Sequence, residues 1–338
     1  MLRSLPSLRA TAILHLSTLT FTFSSFAQSP PPHPFFGLRA DSVQIVLPGT
    51  ISTGLGERDG CFTADGKEFY YSVWTGTYGA IVATRLEASG WTRPEVVPFS
   101  GRYSDLEAFI APDGKGMYFA SNRPDSGDGP PGDFDIWYVD RVGSGWSAPR
   151  NVGSPVNTDK DEFYPSVTRR GDLYVTGGYE GTLGGEDIFR FERQGESFGL
   201  PINLGPGVNS AKGEFNAFVD PSERYLLFSS FGRPDQIGGG DLYISERQAD
   251  GSWGPARILG PEINSKSLDY CPWVSPDGSF MLFSSRRPGQ GQYWTTRKTL
   301  ADIRRGRGQP GNGSEDVYVV SIRAFALPQA IQSEEREH

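Results

Sequence analysis

Histidine occurs three times in this chain, as His15, His33 and His338, and nowhere between residues 34 and 337. Ser-His-Asp and Cys-His nucleophilic catalysis are therefore excluded from the long middle of the chain, and His-ligated zinc with them. No G-x-S-x-G elbow, Walker A loop or paired C-x-x-C occurs either. What remains is carboxylate chemistry. Glu57, Asp105, Glu162, Glu214 and Asp269 each stand eight residues ahead of a turn position, and two residues further on come Asp59, Glu107, Tyr164, Asn216 and Cys271. In an extended strand, residues i and i+2 face the same side, so both sets are expected near the start of the same strands, at one mouth of a channel. Acids gathered there could bind a cation such as Ca²⁺ or a basic peptide. Two of them, from Glu57, Asp59, Asp105, Glu107 and Glu162, could also form the acid pair of a carboxylate-dependent glycoside hydrolase or lyase.

The same acids have a structural reading. Arg123, Arg233 and Arg287 follow a neighbouring strand in an S-x-R-P pattern or its variant, and Asp135, Asp187, Asp241 and Asp316 open the strand after that. An Asp/Arg/Asp cluster in each copy would neutralise itself, and recurrence at equivalent places is what a structural device looks like. Two copies lack the arginine, which leaves Glu57, Asp59 and Glu162 least compensated. A catalytic pair would more naturally be singular than repeated, so the residues favour a binding or scaffold protein over a hydrolase, with no cofactor other than an optional calcium ion. Asn157, Asn209 and Asn264 lie five residues before the carboxylate, with Ser52 and Ser100 as substitutes, and suit side-chain-to-backbone turns.

The elements that must position these groups come from a repeat. The segments 61–72, 109–121, 167–176, 218–230 and 273–285 each read as an apolar stretch, a tight turn and a second apolar stretch, with Asp-Gly at 65–66, 113–114 and 277–278. A third strand follows as DIWYVD, DIFRFE, DLYISE or DVYVVS, with AIVATR in the first copy. A fourth follows the aromatic-Pro signals Trp91/Pro94, Trp146/Pro149, Phe198/Pro201 and Trp253/Pro255. A four-stranded meander cannot bury both faces alone, so copies of about 53 residues must pack face to face and close into a ring. The fold class is all-β, a propeller of five four-stranded antiparallel blades, with six blades as the alternative. Only four of the five copies supply a fourth strand, so VQIVLP at 43–48 is expected to complete the last blade and close the wheel. Cys61 and Cys271 then fall on innermost strands of adjacent blades, two residues out of register. A disulfide there needs Cα atoms within about 7 Å, and two buried thiols fit the offset better.

The segments PINLG (201–205), SPDG (275–278), FSSFGRP (228–234), FSSRRP (283–288) and GGDLY (239–243) resemble the WD40-like PD40 repeats of the TolB-type propeller family. The resemblance covers roughly residues 43–322 and implies a propeller. Such propellers act as scaffolds, transport accessories and appendages of peptidases, so the resemblance implies little about activity. TolB also carries an N-terminal α/β domain, for which residues 28–42 leave no room.

Loops between the second and third strands are long, at 122–133, 177–186, 232–240 and 286–315, and share one face with the channel mouth. The last is basic, with Arg297, Lys298, Arg304, Arg305 and Arg307, and reads either as a surface loop or as a partner-docking element. At the start of the chain, Arg3 and Arg9, an apolar stretch from Ala12 to Phe26 and the small residues Ser25 and Ala27 read as a secretory signal cleaved after Ala27. Removing residues 1–27 takes away two positive charges and no acid, so the net charge goes from −8 to −10, against general nucleic-acid binding. The expected organisation is a signal peptide at 1–27, a Pro-rich linker at 28–42, one propeller at 43–325 and a frayed tail at 326–338. The product would be periplasmic or secreted and monomeric, with no transmembrane segment and an envelope or extracellular protein, peptide or glycan as partner.

Overall fold

A computed structural model describes residues 42–126, 128–289 and 298–322. It shows five small antiparallel sheets, each running outward from an innermost strand: Glu57–Phe62, Asp105–Ile110, Glu162–Val167, Gly213–Val219 and Asp269–Val274. Blades 1 to 4 are meanders of consecutive strands. In blade 5 the outermost strand is Gln44–Ile45, from the start of the described chain, paired with the last strand, Asp316–Ser321. Gln44 lies opposite Val319 and Ile45 opposite Tyr318. Both ends of the propeller thus share one sheet, and there are five blades. The predicted closing strand is shorter than VQIVLP, because Leu47 turns to φ 38° and ends it.

Each inner hairpin turns on Asp-Gly where the sequence has it, and Gly66, Gly114 and Gly278 adopt φ of 66°, 69° and 67°, a region glycine enters without steric cost. Strand alternation sends one set of side chains to each neighbouring blade, and the interior fills with rings: Phe119, Phe189, Phe228 and Phe283 are all 0–1% exposed. The Trp of the third-to-fourth-strand hairpin tucks onto the preceding blade. Trp146 Nε1 donates to the Tyr70 hydroxyl at 3.0 Å, and Arg141 beside it reaches Glu68 at 2.7 Å.

The basic insert is not wholly a loop. Leu300–Arg307 form a helix, missed in the sequence because it is short and buries no residue. Thr299 and Asp302 close a capping box at its start. Arg304, Arg305 and Arg307 sit in its last turn, where cations oppose the helix dipole. Lys298 and these three arginines are exposed, with Arg305 paired to Asp302; Arg297 lies outside the described residues. Asn312 Nδ2 fastens the insert to the Gly54 carbonyl at 2.9 Å, beside the seam between blades 5 and 1. No helix of the described residues is long and apolar enough to cross a membrane.

Candidate functional site

Every innermost strand carries the same irregularity. Pairing with the second strand slips between Arg58 and Cys61, and at the corresponding place in the other four blades. At each slip one residue is left-handed: Asp59, Glu107, Tyr164, Asn216 and Cys271 have φ of 60°, 63°, 51°, 49° and 53°. Such a conformation costs of order 1–3 kcal/mol for a residue with a Cβ, though Asn and Asp bear it better. Hydroxyls of the preceding blade hold it. Ser284 Oγ accepts the Asp59 N–H, Ser72 Oγ the Glu107 N–H and Thr176 Oγ1 the Asn216 N–H, each at 3.0 Å. Blade 2 has Ala120 in that place, and there Glu107 Oε2 accepts the Tyr164 N–H at 2.7 Å.

The bulge overturns the expectation that both acidic sets share the channel mouth. A left-handed residue breaks strict alternation, so i and i+2 no longer point together. Glu57, Asp105, Glu162, Glu214 and Asp269 turn into the seams between blades and are 0–1% exposed. Each is held by its own loop: Glu57 by Thr53, Asp105 by Ser100, Glu162 by Thr158, Glu214 by Ser210 and Asp269 by Ser265. Arg123, Arg233 and Arg287 pair with Asp105, Glu214 and Asp269. The expected second acid of each cluster does not join them. Among the described residues Asp135 is bonded by Asn151, Asp187 by Asn203 and the Leu183 N–H, Asp241 by the Ile237 N–H and Asp316 by the Gly311 N–H. The loop residues Asn157, Asn209 and Asn264 bond both backbone groups of the third strand, as turn anchors.

At the axis Asp59 and Glu107 do converge, but on a cation that the spacing of the acids does not reveal. Arg58 Nε donates to Asp59 Oδ1 at 2.8 Å, and its Nη2 to Glu107 Oε1 at 2.6 Å and to Cys271 Sγ at 3.5 Å. The guanidinium lies 4.9 Å over the Tyr270 ring, a favourable cation–π placement. Asn216 Nδ2 also reaches Glu107 Oε1 at 3.1 Å, and Tyr164 Oη donates to the Pro272 carbonyl at 2.9 Å. All five blades therefore meet in one network. Oxygens of Asp59 and Glu107 and the sulfur of Cys271 lie within 4.8 Å of one another, close enough to ligate a metal. Arg58 already fills that charge, and burial pushes the Cys271 thiol well up, away from thiolate. Cys61 and Cys271 are both free and buried.

The residues just before the bulge, Arg58, Leu106, Phe163, Phe215 and Tyr270, line a funnel above this network. With Trp74, Phe134, Phe231, Leu268 and Arg286 they enclose about 430 Å³. Two ring pairs flank it, Phe134–Phe163 at 5.1 Å and Phe215–Phe231 at 5.2 Å between centroids. Phe231 is 50% exposed. Arg58 Nη1 has no partner among the described residues. At the far end of the axis Phe62–Trp273 and Phe109–Phe218, at 6.0 and 6.3 Å between centroids, line a smaller cavity of about 120 Å³. The signal for the funnel was an aromatic at i+1 between the acid positions in three copies, which alternation assigned to the opposite side.

Two seams keep carboxyls without an arginine. Burial pushes Asp316 up to about 7, with Glu57 and Glu315 adding to it. Burial likewise raises Glu162 to about 7 and Asp135 to about 6. A carboxyl whose folded value lies above its unfolded value holds its proton better when folded, so stability present below about pH 4 is lost as pH rises through 6 to 7. The melting midpoint is expected to fall between about pH 5 and about pH 8, and Asp316→Asn to flatten that profile; a midpoint that rises over this window would contradict the assignment.

No protein-family sequence profile matches this chain, and no curated protein sequence does. Solved structures are similar to it. A protein described as a glycoside hydrolase superposes with a TM-score of 0.52 at 9% identity, over 83% of this chain and 91% of that one. A putative TolB of Agrobacterium tumefaciens gives 0.45 at 17% identity, over 79% and 91%. TolB of Acinetobacter baumannii gives 0.45 at 15%, and there the chain spans only 54% of the other protein's length. At 9% identity the first of these likenesses speaks to fold alone, and what the sheet order establishes is that this chain is a five-bladed β-propeller.

Proposed function

We propose that this propeller is a non-catalytic binding module that takes part of a protein or peptide ligand into the aromatic funnel. The observation that carries the reading is Arg58, whose Nη1 has no partner among the described residues, in the lining of a cavity walled by two pairs of phenylalanines. Arg58 is 13% exposed, and both its acids are nearly buried. An apolar side chain seated between the ring pairs would exclude water, and its backbone carbonyl could accept from Nη1. Phenylalanine walls favour an apolar side chain over a sugar, whose hydroxyls need many partners. The long loops of the same face, including the basic insert with Lys298, Arg304, Arg305 and Arg307, would add contacts around the rim. The protein is exported in this reading and works as a monomer in the envelope or outside it.

The hydrolase alternative draws no support from the acids at the axis. Asp59 and Glu107 are 3% and 4% exposed and share one guanidinium, whereas glycosidase acids flank a substrate at roughly 5–5.5 or 6.5–9.5 Å with water between or beside them. The test is binding of purified protein to a peptide array and a glycan array, repeated with Phe163→Ala/Phe215→Ala. Losing two ring walls should weaken peptide binding at least about tenfold, since each buried aromatic contributes on the order of 1.5–3 kcal/mol. Unchanged binding in the double variant, or hydrolysis of a glycan abolished by Glu107→Gln, would overturn the reading.

A further inference from the structure

Three of the five seams contain an arginine built into the same socket. Arg123, Arg233 and Arg287 each meet the buried acid of the innermost strand, Asp105, Glu214 or Asp269. Each also donates to the carbonyl just before the loop Ser or Asn: Phe99, at 3.0 Å, Val208 or Ile263. Each guanidinium lies against two rings, one on the second strand and one on the third. The distances are 5.1 and 5.3 Å to Phe119 and Trp137, 5.4 and 5.0 Å to Phe228 and Tyr243, and 5.1 Å to both Phe283 and Tyr318. Acid, carbonyl and ring pair thus recur as one unit with a guanidinium at its centre. In blade 3 a tyrosine takes the place: Tyr179 Oη donates to the Val156 carbonyl at 2.7 Å, and its ring packs 4.8 Å from Phe189.

Blade 1 has the socket without the filling. Val73 pairs with Glu57 as Ser121 pairs with Asp105 and Ser285 with Asp269. Two residues on, where Arg123 and Arg287 stand, blade 1 has Thr75, which is too short to reach the acid. Tyr71 occupies the place of Phe119, and Val82, its partner on the third strand, that of Trp137. Where three seams hold a guanidinium and a fourth the Tyr179 ring, this one holds a cavity of about 720 Å³, lined by Glu57, Tyr71, Val73, Thr75, Val82 and Trp91 among others. Glu57 is part of that lining and is 1% exposed, and its Oε2 has no hydrogen-bond partner. A buried carboxylate oxygen left unpaired is costly, and the arrangement that relieves it is already drawn three times in the same molecule.

We propose that the cavity at the seam of blades 5 and 1 binds a guanidinium on an alkyl stem, which enters as the arginine the repeat lacks. The stem lies along Tyr71, Val73 and Val82, and the guanidinium pairs with Glu57 in two hydrogen bonds, the geometry that makes arginine and carboxylate complementary. The group can come from outside, on an arginine-bearing peptide, or from this chain, whose Arg39 and Arg323 lie outside the described residues.

The test uses the full chain and agmatine as probe, by calorimetry and by thermal melting. Saturable binding is expected, about tenfold or more weaker in Glu57→Gln, because a buried charge-assisted pair contributes on the order of 1.5–3 kcal/mol. Thr75→Arg supplies the missing group in place; it should raise the melting midpoint and abolish agmatine binding. Should the unaltered chain not bind while Arg39→Ala/Arg323→Ala does, the natural occupant is the chain's own arginine. Absence of binding in both proteins, binding that survives Glu57→Gln, or a Thr75→Arg protein that is less stable than the parent would each refute the socket. Because the funnel plays no part in this seam, Phe163→Ala/Phe215→Ala should bind agmatine like the parent, which separates failure here from failure of the funnel reading.

Discussion

Replacing Arg58 by methionine is expected to destabilise the protein by about 3–5 kcal/mol, the range for removing one partner of a buried ion pair. Methionine keeps most of the stem's apolar volume, so the loss reports charge more than packing. Without the guanidinium, Asp59 and Glu107 face each other nearly buried, and Asp59 Oδ2 already lacks a partner. Burial already raises Glu107 to about 7, against the pull of Arg58 and with a push from Asp59. Removing Arg58 raises it further. The variant must then hold a proton there that the unfolded chain has shed, and its deficit should grow as pH rises from about 5 to about 8. Denaturant titrations at the two pH values check this, and Arg58→Met/Asp59→Asn/Glu107→Gln should recover much of the loss. A deficit of equal size at both pH values would mean that Arg58 acts through packing instead.

The second large effect concerns closure. Val46 is fully buried, and its N–H bonds the Val317 carbonyl at 2.9 Å, immediately after the two-residue strand that completes blade 5. Val46→Asp removes about 1.5–3 kcal/mol of apolar burial and adds the desolvation of an unpaired carboxylate, several kcal/mol more. That sum is a large fraction of what holds a domain of this kind together. The variant should melt at a lower temperature than Arg58→Met, and protease should cut it within residues 42–55. Val46→Ala, which adds no charge, should show a milder loss and stay resistant. If Val46→Asp were as resistant as the parent, the N-terminal strand would not be what closes the ring.

The fold was legible because it is written several times. Apolar stretches, Asp-Gly turns and aromatic-Pro signals recur at nearly constant spacing, and the missing fourth strand could be assigned to VQIVLP by counting alone. The seam arginines were legible for the same reason, since Arg123, Arg233 and Arg287 follow one pattern and each meets the acid of its own blade. The site was less so. Period-two alternation placed Glu57 and Asp59 on one side; a left-handed residue in every inner strand separates them, and no local pattern announces it, because Asp, Glu, Tyr, Asn and Cys share no propensity for that conformation. The helix at Leu300–Arg307 leaves no trace in the sequence pattern because it has no buried face to impose a period.

What the chain order alone determined, then, is the meander, its number of copies and which end closes the wheel, since these depend on local turn chemistry and on apolar periodicity repeated along the chain. Which acids reach the axis, that Arg58 balances them, and that one seam of five stands open were decided only when the blades packed. Those features depend on groups as far apart as Arg58 and Cys271, and on a backbone twist that packing against the preceding blade imposes.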